Sequence, residues 1–581
     1  MRPTHQPIAT KPSTDTTLQA GQPVPTKPSI NTSLPIDLPG MTNVLSRYRN
    51  TDSHEYMKQW PGDLATNWRA TQKQQMKLDD IIREAHCEDC RDSSLVDWAQ
   101  RRKQVVSAAK RAWDFYYRDA FGLDEYRPIS HTGRNFSQTG LGYYIADVLD
   151  TLWLMGLKDE YKAGRDFLVS QVTFEQPGSV SLFETTIRLL GGLLSAYRWS
   201  GETDRALLEV ADQLGSRLAM SFNTSTGIPP ETAILRSDGM PFAVESSTSE
   251  VSTLQLEFRY LAKLTGKQNY QQQVDRIMDI IFKAPKFDGL VSNYINAASG
   301  EFTGTFISLG SRGDSYYEYL LKQWLQTRQT EPVFREEYDS AMDGVRKFLA
   351  TVSPDQNLTY IGELLRIESA APKFSPKMDH LACFLAGNLA LGSTNGVPLS
   401  DILPSSLRPR DREDLILGRE LGETCAHMYF DTPSGLAPEI GWFRQVDSKT
   451  GKDISFNSDE QLIKPDGDIL VHTLDRHYIL RPETVESFYL LWKITGETKW
   501  REYGWRVFEA IEKWAWSPEY GYTSIDNVCV IPPTRRDSIE TFFLSETLKY
   551  LYLLFNDADP TSLVDHVFNS EAHPLPMFTW E

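Results

Sequence analysis

Carboxylates recur along this 581-residue chain at the points where apolar helical segments begin. Glu184 closes the tetrad Ser181-Leu-Phe-Glu184, Glu250 precedes one apolar run, and Asp314 and Glu318 open another. Glu483 and Glu486 follow Pro482 at the head of a further run. Glu546 lies inside the last run, and Glu571 follows it in FNSEAHPLP. Singly, each has a structural explanation. Ser181-x-x-Glu184 and Ser315-x-x-Glu318 match capping boxes, which satisfy free helix N–H groups. Pro482 at the first helical position, followed by Glu483, is a common helix opening, because the helix dipole stabilises a carboxylate there. As a set they point elsewhere. If the same end of each buried helix faces one cavity, these carboxylates gather where folding alone disfavours them. Such a cluster suits a divalent cation, general acid and base catalysis, or the binding of sugar hydroxyls. Arg188 stands four residues after Glu184 on the same helix face. Arg312 and Arg481 each stand two residues before a carboxylate, Asp314 and Glu483. Local ion pairs are the alternative reading for these arginines.

Other chemistries lack their residues. There is no H-E-x-x-H, no G-x-S-x-G and no G-x-x-x-x-G-K-[ST]. The ten histidines form no ligand-like spacing, and His380 and His427 read as satisfied core or surface residues. Sixty Lys and Arg against 78 Asp and Glu give a formal charge of −18, which argues against nucleic acid as a partner. Aromatics at 11% suit a packed core or a site that stacks sugar rings. Five cysteines are too few for a disulfide scaffold, and the lone Cys87-Glu-Asp-Cys90 reads as a local disulfide or two thiols before a zinc site.

The elements that must hold the carboxylates follow from the apolar pattern. Residues 1–45 are rich in Pro, Thr, Ser and Gln and read as a disordered tail. Residues 46–95 form a polar extension, helical over Gln72–Ala85, and a globular domain is expected over 96–581. That domain contains seven apolar helical segments, at 140–157, 182–201, 251–266, 314–327, 380–392, 482–496 and 539–555. Several end in Thr-Gly or Ser-Gly, a helix stop signal. Amphipathic stretches such as Ala206–Met220, Tyr270–Ala284 and Trp500–Trp514 lie between them. A buried helix alternating with an amphipathic one predicts αα-hairpins that close into an all-α toroid. Pieces such as Gly289–Tyr294 and Ser434–Phe443 fit small β-hairpins over one mouth, and the Pro- and Arg-rich stretch Val397–Glu420 reads as a loop. No stretch reaches the ~18–20 apolar residues that span a membrane. The first 38 residues hold no apolar signal core, so a lumenal location would require targeting information outside this sequence. Sequons at Asn31, Asn135, Asn223 and Asn357 hint at the secretory pathway.

The motifs GLGYYIADVLDTLWLMGL, FETTIRLLGGLLSAY, GSRGDSYYEYLLKQW, LRPETVESFYLLW, FFLSETLKYLYLLF and FNSEAHPLP, in this order, resemble the class I α-mannosidases of glycoside hydrolase family 47. The resemblance covers about residues 98–578. It implies an (αα)7 barrel and an inverting, calcium-dependent exo-α1,2-mannosidase acting on high-mannose N-glycans. By motif, Glu184 would be the acid, acting through a water; Glu483 would be the base, and Asp314 would complete the catalytic carboxylates. Arg188, Glu250, Arg312, Arg481, Glu486, Glu546 and Glu571 would hold sugar hydroxyls or calcium-bound water. Phe542 would stack on the terminal mannose, and Ser570 would ligate calcium through its carbonyl and hydroxyl where the family usually has Thr. Arg312 in GSRGD resembles the endoplasmic-reticulum type, which trims the nine-mannose glycan to one eight-mannose isomer. Cys383 and Cys425 match the family's disulfide. A lumenal monomer is expected. The alternative is a glycan-binding quality-control protein of the same superfamily, with weak or partner-dependent activity.

Overall fold

The computed structural model describes residues 68–86, 96–236, 245–365, 372–446, 450, 460–463 and 467–580. The expected tail, the Cys87-x-x-Cys90 motif and Asn31 lie outside the described residues. The helix expected over Gln72–Ala85 is present with those bounds, opened by a capping box between Thr71 and Gln74.

Helices alternate between an inner and an outer ring. The inner ring comprises Tyr143–Leu154, 182–199, Gln255–Thr265, Asp314–Gln326, Phe384–Thr394, Glu483–Thr495 and 543–554. Each packs on the next in chain order, and the segment 543–554 returns to Tyr143–Leu154, so the ring closes. The outer ring comprises Trp98–Ala120, Lys158–Ser170, Arg205–Leu218, Gln268–Lys283, Pro332–Phe348, Pro409–Phe430 and Lys499–Trp514. The result is the (αα)7 barrel.

Residue pattern explains which ring each helix joins. Every residue of Phe384–Thr394 is buried, as an apolar helix surrounded by others requires. Gln268–Lys283 instead buries only Tyr270, Val274, Ile277, Met278 and Ile281, one face at helical spacing. Gly266 and Gly496 end their helices at φ +72° and +73°, a conformation glycine adopts without side-chain strain. Gly192 lets the first two inner helices approach closely, since a Cβ there would stand 2.1 Å from the Ala146 carbonyl oxygen.

Several expectations are corrected. The stretch Val397–Glu420 is a loop only as far as Arg408. From Pro409 it is a 22-residue helix to Phe430, because proline at the first helical position starts a helix without needing its missing N–H. The third apolar segment is broken at Thr253 into Thr248–Ser252 and Gln255–Thr265. Ser434–Phe443 supplies the strand Ile440–Phe443, which pairs with Lys377–Asp379 and Ile469–His472. Gly289–Tyr294 contributes a bridge between Phe287 and Leu290 and the first residue of the strand Tyr294–Asn296.

The disulfide between Cys383 and Cys425 is present and ties the start of the fifth inner helix to the outer helix that follows it. Cys529 is a free, half-buried thiol. A hairpin of His566–Phe568 and Pro574–Pro576 carries the turn Asn569–His573 into the ring. There Asn569 Nδ2 donates to the Ile187 carbonyl at 2.8 Å and to Glu257 at 2.7 Å. No described helix is long and apolar enough to cross a membrane.

Candidate active site

Inner helices of the ring start at one end, and their first turns meet in a cavity of about 270 Å³. Glu184, Arg188, Glu250, Arg312, Asp314, Arg481, Glu483, Glu486, Phe542, Glu546, Ser570 and Glu571 all line it. Each site residue singled out from the sequence is therefore in one place. Glu318, Ser249 and Leu381 join them.

The backbone around the cavity is unusual. Arg312, Leu480 and Ala572 have φ of +74°, +70° and +57°, and each lies within three residues of a cavity carboxylate. Non-glycine residues in this region are strained and persist only where surrounding contacts fix them. The Arg312 carbonyl accepts the Ser249 N–H at 3.1 Å, and the preceding Gly310 has no room for a side chain, since a Cβ would stand 2.2 Å from Asp379 Oδ2. Two inner helices also contain π-helical turns, Thr185–Leu190 and Phe543–Thr547, a feature common at functional sites. The first contains Arg188 and the second contains Glu546.

The arginines do more than pair locally. Arg188 donates to Glu184 Oε2 at 2.7 Å, to Glu571 Oε2 at 2.9 Å and to Thr541 at 3.2 Å. It thereby joins the second inner helix to the floor turn, Asn569–His573, which forms the floor of the cavity. Arg481 donates through Nε to both oxygens of Glu439, at 2.7 and 2.8 Å, and lies 3.6 Å from Glu483. The guanidinium groups of Arg188 and Arg481 stand 5.5 and 5.7 Å from the centre of the Phe542 ring. Arg312 reaches Glu231 at 3.1 Å and Glu250 at 3.8 Å.

His380 is buried, as a satisfied core histidine is expected to be. Its Nδ1, however, is 2.7 Å from Glu483 Oε2, and its Nε2 is 2.9 Å from the Tyr429 hydroxyl. It thus orients a cavity carboxylate. The signal available in the sequence was its position at the head of the fifth apolar run, the place held by carboxylates in its neighbours. The proposed capping boxes divide. Ser181 Oγ accepts the Glu184 N–H at 3.1 Å, a genuine cap. Ser315 is already inside its helix and accepts from Thr253 Oγ1 at 2.8 Å, while Glu318 pairs with Lys322 and accepts from Ser570 Oγ at 3.2 Å. Pro482 is the cap residue rather than the first helical residue, which Glu483 occupies.

Burial and crowding separate the carboxylates. Burial, with the charges of Glu318, Asp379 and Glu483, pushes Asp314 up to about 7. Burial and the Glu231 charge push Glu250 to about 7. Burial pushes Glu486 to about 8, helped by Glu318 and Glu483. Glu571 rises to about 8, mainly by burial, and Glu546, hydrogen-bonded to it, rises well above the ordinary range for the same reason. Glu483 goes the other way. Burial opposes its charge, but the His380 hydrogen bond and Arg481 hold it below its usual value. The cavity therefore pairs an ionised carboxylate with carboxyls that keep protons near neutral pH, the condition for acid and base chemistry in one site.

A family model for glycosyl hydrolase family 47 matches residues 108–577. The chain belongs to glycosyl hydrolase family 47. Among similar family 47 proteins, the mannosyl-oligosaccharide 1,2-alpha-mannosidase of Arabidopsis thaliana is 43% identical over 503 residues, covering 83% of this chain and 80% of that protein. The endoplasmic reticulum mannosyl-oligosaccharide 1,2-alpha-mannosidase of Homo sapiens is 42% identical, covering 82% of this chain and 64% of that one. The solved structure of the alpha-1,2-mannosidase from Trichoderma reesei superposes with a TM-score of 0.73 at 28% identity, over 82% of this chain and 99% of that chain.

Proposed function

We propose that this family 47 enzyme is an inverting, calcium-dependent exo-α1,2-mannosidase that trims high-mannose N-glycans in the secretory pathway lumen. The observation that carries the reaction is the state of Glu483. An ionised carboxylate, fixed by His380 and Arg481, is suited to take a proton from an attacking water. Inversion needs the water between base and sugar, with the two carboxyls roughly 6.5–9.5 Å apart. Glu184, Asp314 and Glu483 come from the starts of three different inner helices, which supports such a gap. Glu184 would supply the proton to the leaving oxygen through a water. The raised Asp314 favours a second assignment, with Asp314 as the acid. Loss of the alkaline fall of the pH–rate profile in Asp314→Asn but not in Glu184→Gln would select it.

The donor set fits calcium. The described cavity lining offers hydroxyl, carbonyl and carboxylate oxygens and no sulfur or imidazole, as a hard cation requires. Among the described residues no three His, Cys, Asp or Glu side chains converge to hold a metal alone. Ser570 would bind through its carbonyl and hydroxyl, with Glu318, Glu486, Glu546 and Glu571 holding bound water. When bound, calcium would neutralise the crowded carboxylates and fix sugar hydroxyls. Phe542 would carry the ring of the terminal mannose. The disulfide and the relatives' endoplasmic-reticulum names support a lumenal location, and the enzyme would act as a monomer on glycoprotein glycans.

The test is incubation with a nine-mannose glycan, with and without calcium, while proton NMR follows the early product. β-Mannose released only with calcium, leaving one eight-mannose isomer, is expected. Early α-mannose would mean retention, and binding without release would favour a quality-control lectin. Arg312→Leu should broaden the set of mannoses removed, because the planar fork that can fix one branch is lost.

A further inference from the structure

The turn that carries Arg312 and Asp314 is held from outside the cavity. Lys377 opens the strand Lys377–Asp379, and it is not among the described residues that line the cavity. Its Nζ lies 2.6 Å from Asp379 Oδ1 and donates to Glu363 Oε1 at 2.9 Å. These two carboxylates hold opposite ends of the turn. Glu363 Oε1 accepts from Ser308 Oγ at 2.7 Å, and that hydroxyl accepts the Gly310 N–H at 2.8 Å. Asp379 Oδ2 accepts the Ser311 N–H at 3.2 Å. The Gly310 carbonyl then accepts the N–H groups of Gly313 and Asp314 at 3.1 and 3.0 Å. We propose that Lys377 is a positioning residue, which through Glu363 and Asp379 clamps both ends of the turn that presents Arg312 and Asp314 to the cavity. The proposal rests on the glycosidase reading above.

Charge makes the clamp depend on the lysine. Glu363 and Asp379 are buried, and Lys377 is half-buried between them. Burial and the Asp379 charge push the Glu363 carboxyl up, and Lys377 opposes them. Burial opposes the Lys377 charge as well, but Asp379 and Glu363 raise its value, so the cation persists at neutral pH. Without it, two buried carboxylates repel each other across the turn they hold. Ser308 and Ser311 are bonded to them and move with them. Arg312, at φ +74°, keeps its conformation only while such contacts fix it.

The same strand also reaches the other side of the cavity. His380 follows Asp379 directly, and its Nδ1 is 2.7 Å from Glu483 Oε2. Four consecutive residues, 377–380, therefore reference both the turn before Asp314 and the carboxylate of Glu483. The strand is itself fixed by pairing with Ile440–Phe443. A reaction that needs a set distance between two carboxyls gains from one rigid element that holds both.

Lys377→Met should lower kcat on α1,2-mannobiose by about 10- to 100-fold, the scale of an ångström-sized misplacement. Lys377→Arg keeps a cation between the carboxylates and should recover most of that loss. An unchanged kcat in Lys377→Met overturns the clamp, as does an equal loss in Lys377→Arg. Amide hydrogen exchange, read by mass spectrometry, tests the clamp without turnover. Exchange over residues 308–314 should speed by roughly 10-fold or more in Lys377→Met but not in Lys377→Arg, while the outer helix Gln268–Lys283 keeps its rate. Unchanged exchange over 308–314 overturns the clamp. So does an equal rise in Gln268–Lys283, which would mean general loosening of the barrel. A wild type that releases no mannose fails the glycosidase reading, and the exchange comparison then decides the clamp by itself.

Discussion

Next to the turn Asn569–His573, Asp147 and Asp150 are fully buried against Lys549 and His573, whereas the cavity's Glu486, Glu546 and Glu571 are buried, and its Asp314 half-buried, among other carboxylates. Both sets are carboxyls drawn out of solvent, and the outcomes are opposite. Asp150 has Lys549 at 3.0 Å and His573 at 3.0 Å, and Asp147 has His573 at 3.2 Å and Arg188 at 3.6 Å. Burial opposes both charges, yet these partners pull Asp150 down to about 2 and also lower Asp147. The cavity carboxyls have fewer cations than charges and are pushed up instead. A buried carboxylate matched by cations serves the fold. One left short of them is a demand that a ligand must meet.

Four measurements would break or sharpen that contrast. The largest effect should come from Lys549→Met, which leaves the buried Asp150 with His573 as its one remaining cationic partner. A loss of about 3–5 kcal/mol is expected, as for removing one member of a buried ion pair, and urea unfolding should give the same loss with and without calcium. Calcium-dependent rescue would show that the two clusters are one. Next, Glu483→Gln should reduce turnover by at least ~100-fold, through loss of the base, with glycan binding largely kept. Near-normal turnover would assign the base to another carboxylate.

Third is the pH dependence of stability. Asp314, Glu250, Glu486 and Glu571 have native values near 7–8, well above the ordinary carboxylate range, so the native state binds more protons than the unfolded state between about pH 4 and 8. Stability without calcium should therefore fall as pH rises through that window. At pH 8, calcium at a hundredfold excess over Kd should return about 2.7 kcal/mol. Melting scans in chelator and in calcium would test this, and a melting temperature that rises from pH 5 to 8 in chelator would contradict it. The smallest effect should be that of Ser570→Thr. A branched side chain restricts the hydroxyl, so calcium affinity should tighten by ~0.5 kcal/mol, a few fold at most, whereas Ser570→Ala should lose far more. Equal calorimetric affinity for wild type and Ser570→Ala would take the hydroxyl out of the site.

The inner ring was legible in the sequence because its helices are apolar on nearly every face and carry their carboxylates at one end. Glu184 and Glu483 could be found by position alone. The start of Pro409–Phe430 was hidden because three of its buried residues, Asp411, Asp414 and Arg419, are charged. Arg419 is almost fully buried yet bonds Glu497 at 2.7 and 2.8 Å, a partner 78 residues away. Charges matched over such distances erase the apolar period that identifies a helix. His380 escaped for the same reason, since Glu483 lies 103 residues further on. Ser315-x-x-Glu318 misled in the other direction, because a local pattern with a common explanation had a long-range use.

The floor turn has a consequence for biosynthesis. Asn569–His573 follows every barrel helix in the chain, yet it supplies Ser570 and Glu571 and receives bonds from inner helices that are far older in order of synthesis. A nascent chain whose seven hairpins have emerged still lacks the floor of its cavity. It has the crowded carboxylates without Ser570 and without the Glu571 anchor of Arg188. The bond network of the cavity is therefore complete only when a segment made after all seven inner helices is in place.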